Sequence, residues 1–424
     1  MLAAVFLLLS LRAGRRRRII DNTPTCKTSG IFIGLVEVKG TAEATNPLSS
    51  YLAETPCVHY QWTITEDWSK LVTETYRDAK GNTRTRTRRE SGSETIASGG
   101  QQIPFYLKDD CGHVLVQPAG AKIEPQEVFS QTCGRGDPLY FGKCDRPEVA
   151  HSDHRRHFRE VAVPLHAELY VLGQARERQD VVAPEIARDE NAPMFLISTR
   201  SEQQVSSGLN MQYWLLGVLA IVLAAGGLML HDHLLKLMLQ GRWPMLMLAG
   251  GMVIIAWMIG WTWMVYNSMM DLAQRVAQAW SNVDVQLKRR AELIPNLVEI
   301  VKGLRDYERT VQSELALLRA QAEATAPGAA GPDPQACGRA IVAIAERYPE
   351  LTANRAFLDL QKHLSQTEQR IALARAYFNE IVAFYNTRLQ IVPDRFICAM
   401  GRLRPRQYIA AEDFERAAVE VRLA

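Results

Sequence analysis

The chain has 424 residues, a formal net charge of +3 and 22% charged residues. That small positive surplus argues against a nucleic-acid binder, and a hydrophobic content of 47% is ordinary for folded protein. The length accommodates two or three domains. The cysteines, Cys26, Cys57, Cys111, Cys133, Cys144, Cys337 and Cys398, are odd in number and include no CxxC pair. A complete intrachain disulfide framework is therefore impossible, and no zinc spacing is present. Buried or partly exposed thiols in a reducing compartment are expected.

Met1 to Leu11 is apolar, and Arg12 and Arg15 to Arg18 follow it. Residues 1–18 thus read as a short apolar anchor with a basic stop. A cleaved secretory signal carries its charge before the apolar region, not after it. This order is that of a signal-anchor whose start lies outside and whose arginines stay in the cytoplasm. Eleven residues make roughly 16 Å of helix, short of a complete crossing. The reading favours a start that has lost several residues over a shallow anchor.

Residues 19–207 are predicted to form a mostly-β domain. Ile31 to Gly40 (IFIGLVEVKG), Tyr60 to Thr65 (YQWTIT), Val114 to Val116, Leu169 to Gly173 (LYVLG) and Phe195 to Ser198 (FLIS) are short β-branched or aromatic runs. They are separated by Gly, Asp, Asn and Pro, the pattern of strands and turns. The Arg/Thr-rich stretch from Val72 to Gly92 is predicted as an exposed hairpin or loop.

Several of these residues carry a resemblance. Thr23-Pro24-Thr25, Gly34 to Glu43, Pro47-Leu48 and Pro56-Cys57-Val58 are similar to the opening of the GIDE domain, and Tyr170 to Gly173 with Phe195 to Ser198 to its later part. That domain occurs in mitochondrial-membrane ubiquitin ligases, between transmembrane helices, and related membrane proteins occur in bacteria. The resemblance implies a domain beside a membrane. In those ligases a C-terminal RING finger carries the activity, and a RING needs eight Cys/His ligands in paired spacing. After the second predicted span this sequence has Cys337, His363 and Cys398.

His151, His154 and His157 are spaced by three. On a helix they would share a face and could hold a metal. Their neighbours Asp145, Arg146, Pro147, Arg155 and Arg156 fit a solvated loop as well. No metal, cofactor-binding or catalytic residue is assigned, and no cofactor is expected.

Tyr213 to Leu230 runs 18 residues without charge or proline, and Met245 to Tyr266 runs 22 without charge. Soluble core helices are rarely apolar all round for this length. Residues 211–235 and 245–266 are therefore predicted as two transmembrane helices forming a hairpin. Trp243, Trp261, Trp263 and Tyr266 flank the second run, where amphipathic rings favour the headgroup level. A hairpin places both soluble parts on one side. The arginines after the first apolar run, with Arg275, Lys288, Arg289 and Arg290 after the last, make that side the cytoplasm.

Residues 267–424 read as helical. Leu272, Val276, Ala279, Val283 and Leu287 form one apolar stripe, continued by Ile294, Leu297, Val301, Leu304, Val311, Leu315 and Leu318. Pro295 should kink or interrupt it. Residues 325–334 (TAPGAAGPDP) form a Pro/Gly linker, and a shorter helix is expected around Ile341 and Ile344. A second stripe comprises Phe357, Leu360, Leu364, Ile371, Ala374, Phe378, Ile381, Tyr385 and Leu389, with Pro393 ending it. Two long stripes must bury each other, which predicts an antiparallel helical bundle.

Trp280 to Arg290, Leu293 to Val298 with Val301-Lys302-Gly303, Tyr348 to Leu351, and Ala376 to Asn379 with Tyr385-Asn386 resemble the bacterial LemA family. The resemblance implies a membrane-anchored helical bundle without known catalytic residues. The usual LemA layout is one span followed at once by the bundle, and this chain adds a whole domain upstream.

These readings together describe a multi-pass protein of the bacterial inner membrane. The expected function is that of a non-enzymatic scaffold or adaptor. Its partners would be the lipid bilayer, membrane or cytoplasmic proteins, or a second copy of itself. Two alternatives stand beside it: an accessory role in membrane protein turnover or a ubiquitin-ligase-like system, and a metal or ligand sensor using the His151 cluster.

Overall fold

The computed structural model describes residues 2–77, 83–178, 183–190, 192–234, 243–303 and 355–409. The chain divides into two compact units, residues 27–201 and a second made of residues 1–26 with 202–424. The linker expected at 325–334, the short helix expected around Ile341 and the stripe positions Leu304, Val311, Leu315 and Leu318 lie outside the described residues.

In chain order the first unit holds β2 (Gly34–Glu43), β3 (Leu48–Ser49), β4 (Pro56–Arg77), β5 (Thr83–Gln102), β6 (Phe105–Lys108), β7 (His113–Val116), β8 (Lys122–Glu124) and β9 (Gln126–Gly134). The short helix α2 (Pro138–Gly142) follows, then β10 (Ser152–Pro164), β11 (Glu168–Glu177), β12 (Pro184–Ala187) and β13 (Leu196–Ser198). A two-residue strand, β1 (Thr25–Cys26), precedes this unit in the chain.

Strands β2, β6, β7, β12 and β11 pair in that order, and β11 pairs back to β2, closing a barrel. Closure removes the unpaired edges an open sheet would expose. Val36, Val38, Ala42, Leu107, Val114, Val116, Val171, Ala175 and Ile186 fill its core. Gly173 is placed by packing, since a Cβ there would meet Ile186 Cγ2 and Phe195 Cδ2 at 2.7 Å.

A second antiparallel sheet follows the order β3-β4-β10-β9, with β5 on the other side of the long strand β4. Within the stretch 72–92, expected as a hairpin or loop, residues 72–77 belong to β4 and 83–92 to β5, and the two strands pair antiparallel. Two close approaches hold their register. Trp62 pairs opposite Gly99 and Trp68 opposite Gly92, and a Cβ on either glycine would meet the facing indole within about 3 Å. Each ring thus lies over a residue with no side chain, a device that covers strand glycines.

The helical unit contains α1 (Leu2–Asp21), α3 (Glu202–Leu234), α4 (Trp243–Gly303), α5 (Arg355–Gln390) and α6 (Asp394–Met400). Helix α1 runs unbroken through the arginines, since Leu and Arg are both strong helix formers. It lies antiparallel to α3: Ser10 Oγ donates to the Tyr213 carbonyl at 2.7 Å, Arg17 to Asn210 at 2.7 Å, and Ser206 to Asp21 at 2.6 Å. Against α4 it runs parallel, with Leu11 beside Gly260 and Asn22 donating to Ser268 at 3.0 Å.

Two helices, α3 and α4, are long and apolar enough to cross a membrane. Leu2, Val5, Leu8 and Leu9 on α1, Leu215, Val218 and Val222 on α3, and Ile254, Ile255 and Ile259 on α4 are exposed. Apolar surface shared by neighbouring helices on this scale marks a lipid or protein contact.

Helix α4 does not stop after the apolar run. Its 61 residues extend about 90 Å and continue through Pro295 to Gly303. The interruption expected at Pro295 is not seen: a proline forfeits one backbone hydrogen bond at about 3 kcal/mol, a cost a 61-residue helix can absorb. Helices α4 and α5 are antiparallel: Arg290 faces Glu368 at 3.8 Å, Trp280 meets Phe378 edge-on at 5.6 Å, and Tyr266 lies against Gly401. The two stripes meet here. Leu272, Val276, Ala279 and Val283 are buried, as are Leu364, Ile371, Ala374, Phe378, Ile381 and Tyr385. Helix α5 ends at Gln390, ahead of Pro393.

The pairing predicts that Ile381→Asp, which places an unpaired carboxylate at a fully buried position, lowers stability by several kcal/mol. Ile391→Asp, at an exposed position just past α5, should stay within about 0.5 kcal/mol of the parent. Thermal melting of the helical circular dichroism signal, with the full chain in detergent, checks both. Equal melting of the two variants would contradict the α4–α5 core.

Candidate functional site

The three histidines do not lie on a helix. His151 precedes β10, and His154 and His157 lie on it. A spacing of three gives a common face on a helix and not along a strand, and the backbone turns at His154. The start of β10 is irregular: its register with β4 shifts between Ser152 and Arg156, and His151 and His154 have φ of 62° and 58°. Each ring has its own neighbours. His154 Nδ1 lies 3.2 Å from Glu148, while His157 has Nε2 2.8 Å from Asp67 and Nδ1 2.8 Å from Thr132. The shared helical face considered from spacing is not formed.

Among the described residues, Asp109, Asp110 and Cys111 are a trio whose ligand atoms lie within 4.8 Å of one another. Their oxygens are already engaged. Asp109 accepts from the backbone N–H groups of Thr28, Cys111 and Gly112, and Asp110 from Lys27. The arrangement braces the β6–β7 turn.

The chemistry buried in this unit centres on Arg156 and Glu66, both with fully buried side chains. Arg156 Nε donates to Glu66 at 3.1 Å, and its other nitrogens donate to the carbonyls of Tyr140, Cys144 and Arg146. The guanidinium stacks 4.2 Å from the Tyr140 ring centroid. The second Glu66 oxygen accepts from Tyr140 at 2.8 Å and from Ser152. Burial opposes the Glu66 charge, yet the hydrogen bonds from Ser152, Tyr140 and Arg156 hold its pKa below the ordinary carboxylate value. Burial, and then the Glu66 carboxylate, push the Tyr140 phenol up to about 12. Sequence reasoning missed this pair. The alternation of Ile64 with Glu66 along one strand face, and of Arg156 with Phe158, was the available signal.

Glu160 is likewise buried and accepts three backbone N–H bonds, from Tyr51, Leu52 and Ala53 at 2.8, 3.0 and 2.8 Å. The Cys57 thiol beside it is buried, and burial followed by the Glu160 charge pushes its pKa up to about 11. A thiol so held is a poor nucleophile near neutral pH.

In the helical unit, a layer of ion pairs lies where the apolar part of α1 ends. Arg18 donates two hydrogen bonds to Asp394, each 2.9 Å. Arg388 lies 3.8 Å from both Asp394 and Asp21, and donates to Asn22 at 3.0 Å. Arg17 pairs with Asp21 at 3.3 Å. Burial, and then the like charge of Arg18, press the Arg388 pKa below its ordinary value. This layer ties α1, α3, α5 and α6 together through the guanidinium groups of Arg17, Arg18 and Arg388.

The family comparisons match both halves of this architecture. Residues 73–231 match the GIDE family model, described as E3 ubiquitin ligase, and residues 279–423 match the LemA family model. GIDE and LemA domains are thus both present in one chain, joined through the two candidate membrane helices. The search of curated proteins found no match.

The Glu66 environment sets a pH dependence. A carboxylate with a depressed folded pKa contributes stability that is complete above its unfolded value, near 4.5, and lost as pH falls through the folded value. Acid unfolding of the parent should steepen below that pH, and Glu66→Gln should flatten the profile while lowering stability at pH 7. Arg156→Met should cost about 3–5 kcal/mol by stranding a buried charge. The exposed Arg159→Met should cost less than about 1 kcal/mol. Chemical denaturation of the β unit's tryptophan signal distinguishes them.

Proposed function

We propose that the protein is a non-enzymatic integral membrane scaffold or adaptor, multi-pass in the bacterial inner membrane, with both soluble parts in the cytoplasm. The observation that carries this reading is the continuity of α4. One helix begins as an apolar, largely exposed segment and becomes, without interruption, the stripe packed against α5. Motion or ligation at the LemA helices is thereby coupled mechanically to the membrane segment. The described stripe residues of that region, from Leu272 to Val283 and from Leu364 to Tyr385, are used in packing, and the buried Glu66, Arg156 and Glu160 of the β unit are satisfied by structural partners. Both features support recruitment of partners, or self-association, over covalent chemistry.

The GIDE match favours one specific second reading, an accessory role in membrane protein turnover, since the family carries the description E3 ubiquitin ligase. The two readings differ in what the soluble faces hold: lasting partners in the first, short-lived substrates in the second.

Topology and partnership are tested together. Reporter fusions after Arg200 and after Ala424 should both read cytoplasmic, and an insertion at Gln240-Gly241 should read periplasmic. Cross-linking in intact membranes should trap stable partners or copies of the chain, unchanged by simultaneous alanine at His151, His154 and His157. Opposite fusion signals at the two soluble parts would remove the hairpin. Loss of cellular role in a folded triple-alanine variant would favour the sensor.

A further inference from the structure

The ion-pair layer is open on one side. A cleft of about 440 Å³ lies between α1, α3, α4 and the end of α5, lined by Arg17, Arg18, Asp21, Tyr213, Trp214, Trp257, Trp261 and Arg388 among others. Its two ends differ in chemistry. The arginine end belongs to the layer just described. The other is walled by aromatic rings, with Tyr213 stacked on Trp257 at 5.7 Å and Trp214 edge-on to Trp257 at 5.5 Å. Gly14 and Met258 complete the apolar side.

The polar end carries unmet demand. Three arginines line the cleft, against Asp21 in the lining and Asp394 behind it, shared by Arg18 and Arg388. Three positive charges against two negative leave a surplus of one. Two buried donors also lack hydrogen-bond partners among the described residues, Arg17 Nε and Trp257 Nε1. Arg17 Nε approaches Asp21 only as an ion pair at 3.3 Å. Buried N–H groups left without acceptors are uncommon and call for an occupant. The occupant must accept hydrogen bonds, carry one negative charge, and present an apolar body next to its charged end.

We propose that this cleft holds the headgroup of one anionic phospholipid of the bilayer. A phosphodiester supplies the single negative charge and acceptor oxygens for Arg17 at the polar end, and the ester carbonyls of the same lipid meet the Trp257 indole at the aromatic end. The acyl chains pass along the exposed apolar faces at Trp214 and Met258. Basic pockets between membrane helices bind acidic headgroups by the same physics, and aromatic rings hold the glycerol level. Free inorganic phosphate would satisfy the arginine end alone and leave the aromatic wall unused. The proposal rests on the membrane reading above and names the lipid that reading requires.

The test uses the full chain, purified in detergent and reconstituted into vesicles of phosphatidylcholine with or without phosphatidylglycerol. Native mass spectrometry of the protein released from those vesicles should show phosphatidylglycerol retained in preference to phosphatidylcholine, about one per chain. Arg17→Gln should lower that retention about tenfold, the weight of one charge-assisted hydrogen bond. Trp257→Phe should lower it less. Arg16→Gln removes the same charge from an exposed position on the same helix, and should leave retention unchanged. Excess inorganic phosphate should not displace the lipid. Equal retention of the two lipids, equal effects of Arg16→Gln and Arg17→Gln, or displacement by phosphate would each overturn the proposal. Failure to enter vesicles at all would overturn the membrane reading and the cleft with it, whereas entry without headgroup preference overturns the cleft alone.

Discussion

Arg18 and Asp394 lie 376 positions apart and meet through two parallel hydrogen bonds of 2.9 Å. The side chains keep 14% and 3% of their exposure, so both ions have left most of their water. Such a pair is stable only when the fork of the guanidinium matches the carboxylate and neighbours satisfy what remains. Both conditions hold. Asp394 opens α6, Arg388 reaches it from the preceding helix, and Asn22 takes the Arg388 Nε. The end of α1 is thereby fixed against the end of α5. From that fixed point α1 presents Ser10 and Gly14 to Tyr213 and Leu11 to Gly260, so the packing of all three apolar helices inherits its register from one ion pair.

Helix α4 extends this order in the other direction. Its apolar part shares a flank with α1 and α3, and its later part buries Leu272, Val276, Ala279 and Val283 against α5. The change of surroundings along one helix needs no hinge, because only the identity of the outward residues changes. Met258, Ile259 and Trp263 give way to Asp271, Asp284 and Lys288, and two i,i+4 ion pairs form there, Asp271 with Arg275 and Asp284 with Lys288. The part of α4 that the LemA match covers is thus joined to a candidate membrane helix by continuous helical backbone.

Periodicity carried much of this architecture in the primary structure. The stripes of α4 and α5 were legible because a 3.6-residue repeat over many turns has few alternative explanations. The strands at Ile31, Tyr60, Val114, Leu169 and Phe195 were legible from β-branched content between turn residues. What stayed hidden depends on pairing between distant segments. No local pattern says that β2 closes on β11, that Glu66 meets Arg156, or that Arg18 finds Asp394. Two local rules reached only part of the way. The interruption that Pro295 allowed does not occur, since the helix continues to Gly303, and of the two settings the histidine triplet allowed, a helical face and a loop, neither holds at His154 and His157, which lie on a strand with their rings beside Glu148 and Asp67. The cleft could not be inferred at all, since it combines residues from α1, α3, α4 and α5.

The central claim is that the arginine layer marks the level at which three apolar helices leave the bilayer. Spin labels placed one at a time at the exposed positions Val5, Leu8, Leu9, Arg12 and Arg16 of α1, in reconstituted vesicles, measure this directly through relaxation by dissolved oxygen against a water-soluble nickel complex. The account predicts oxygen-dominated relaxation from Val5 to Leu9, changing to nickel-dominated relaxation by Arg16. Nickel-dominated relaxation at Leu8 would contradict it, because α1 would then lie in water and the arginine layer would have no membrane beneath it.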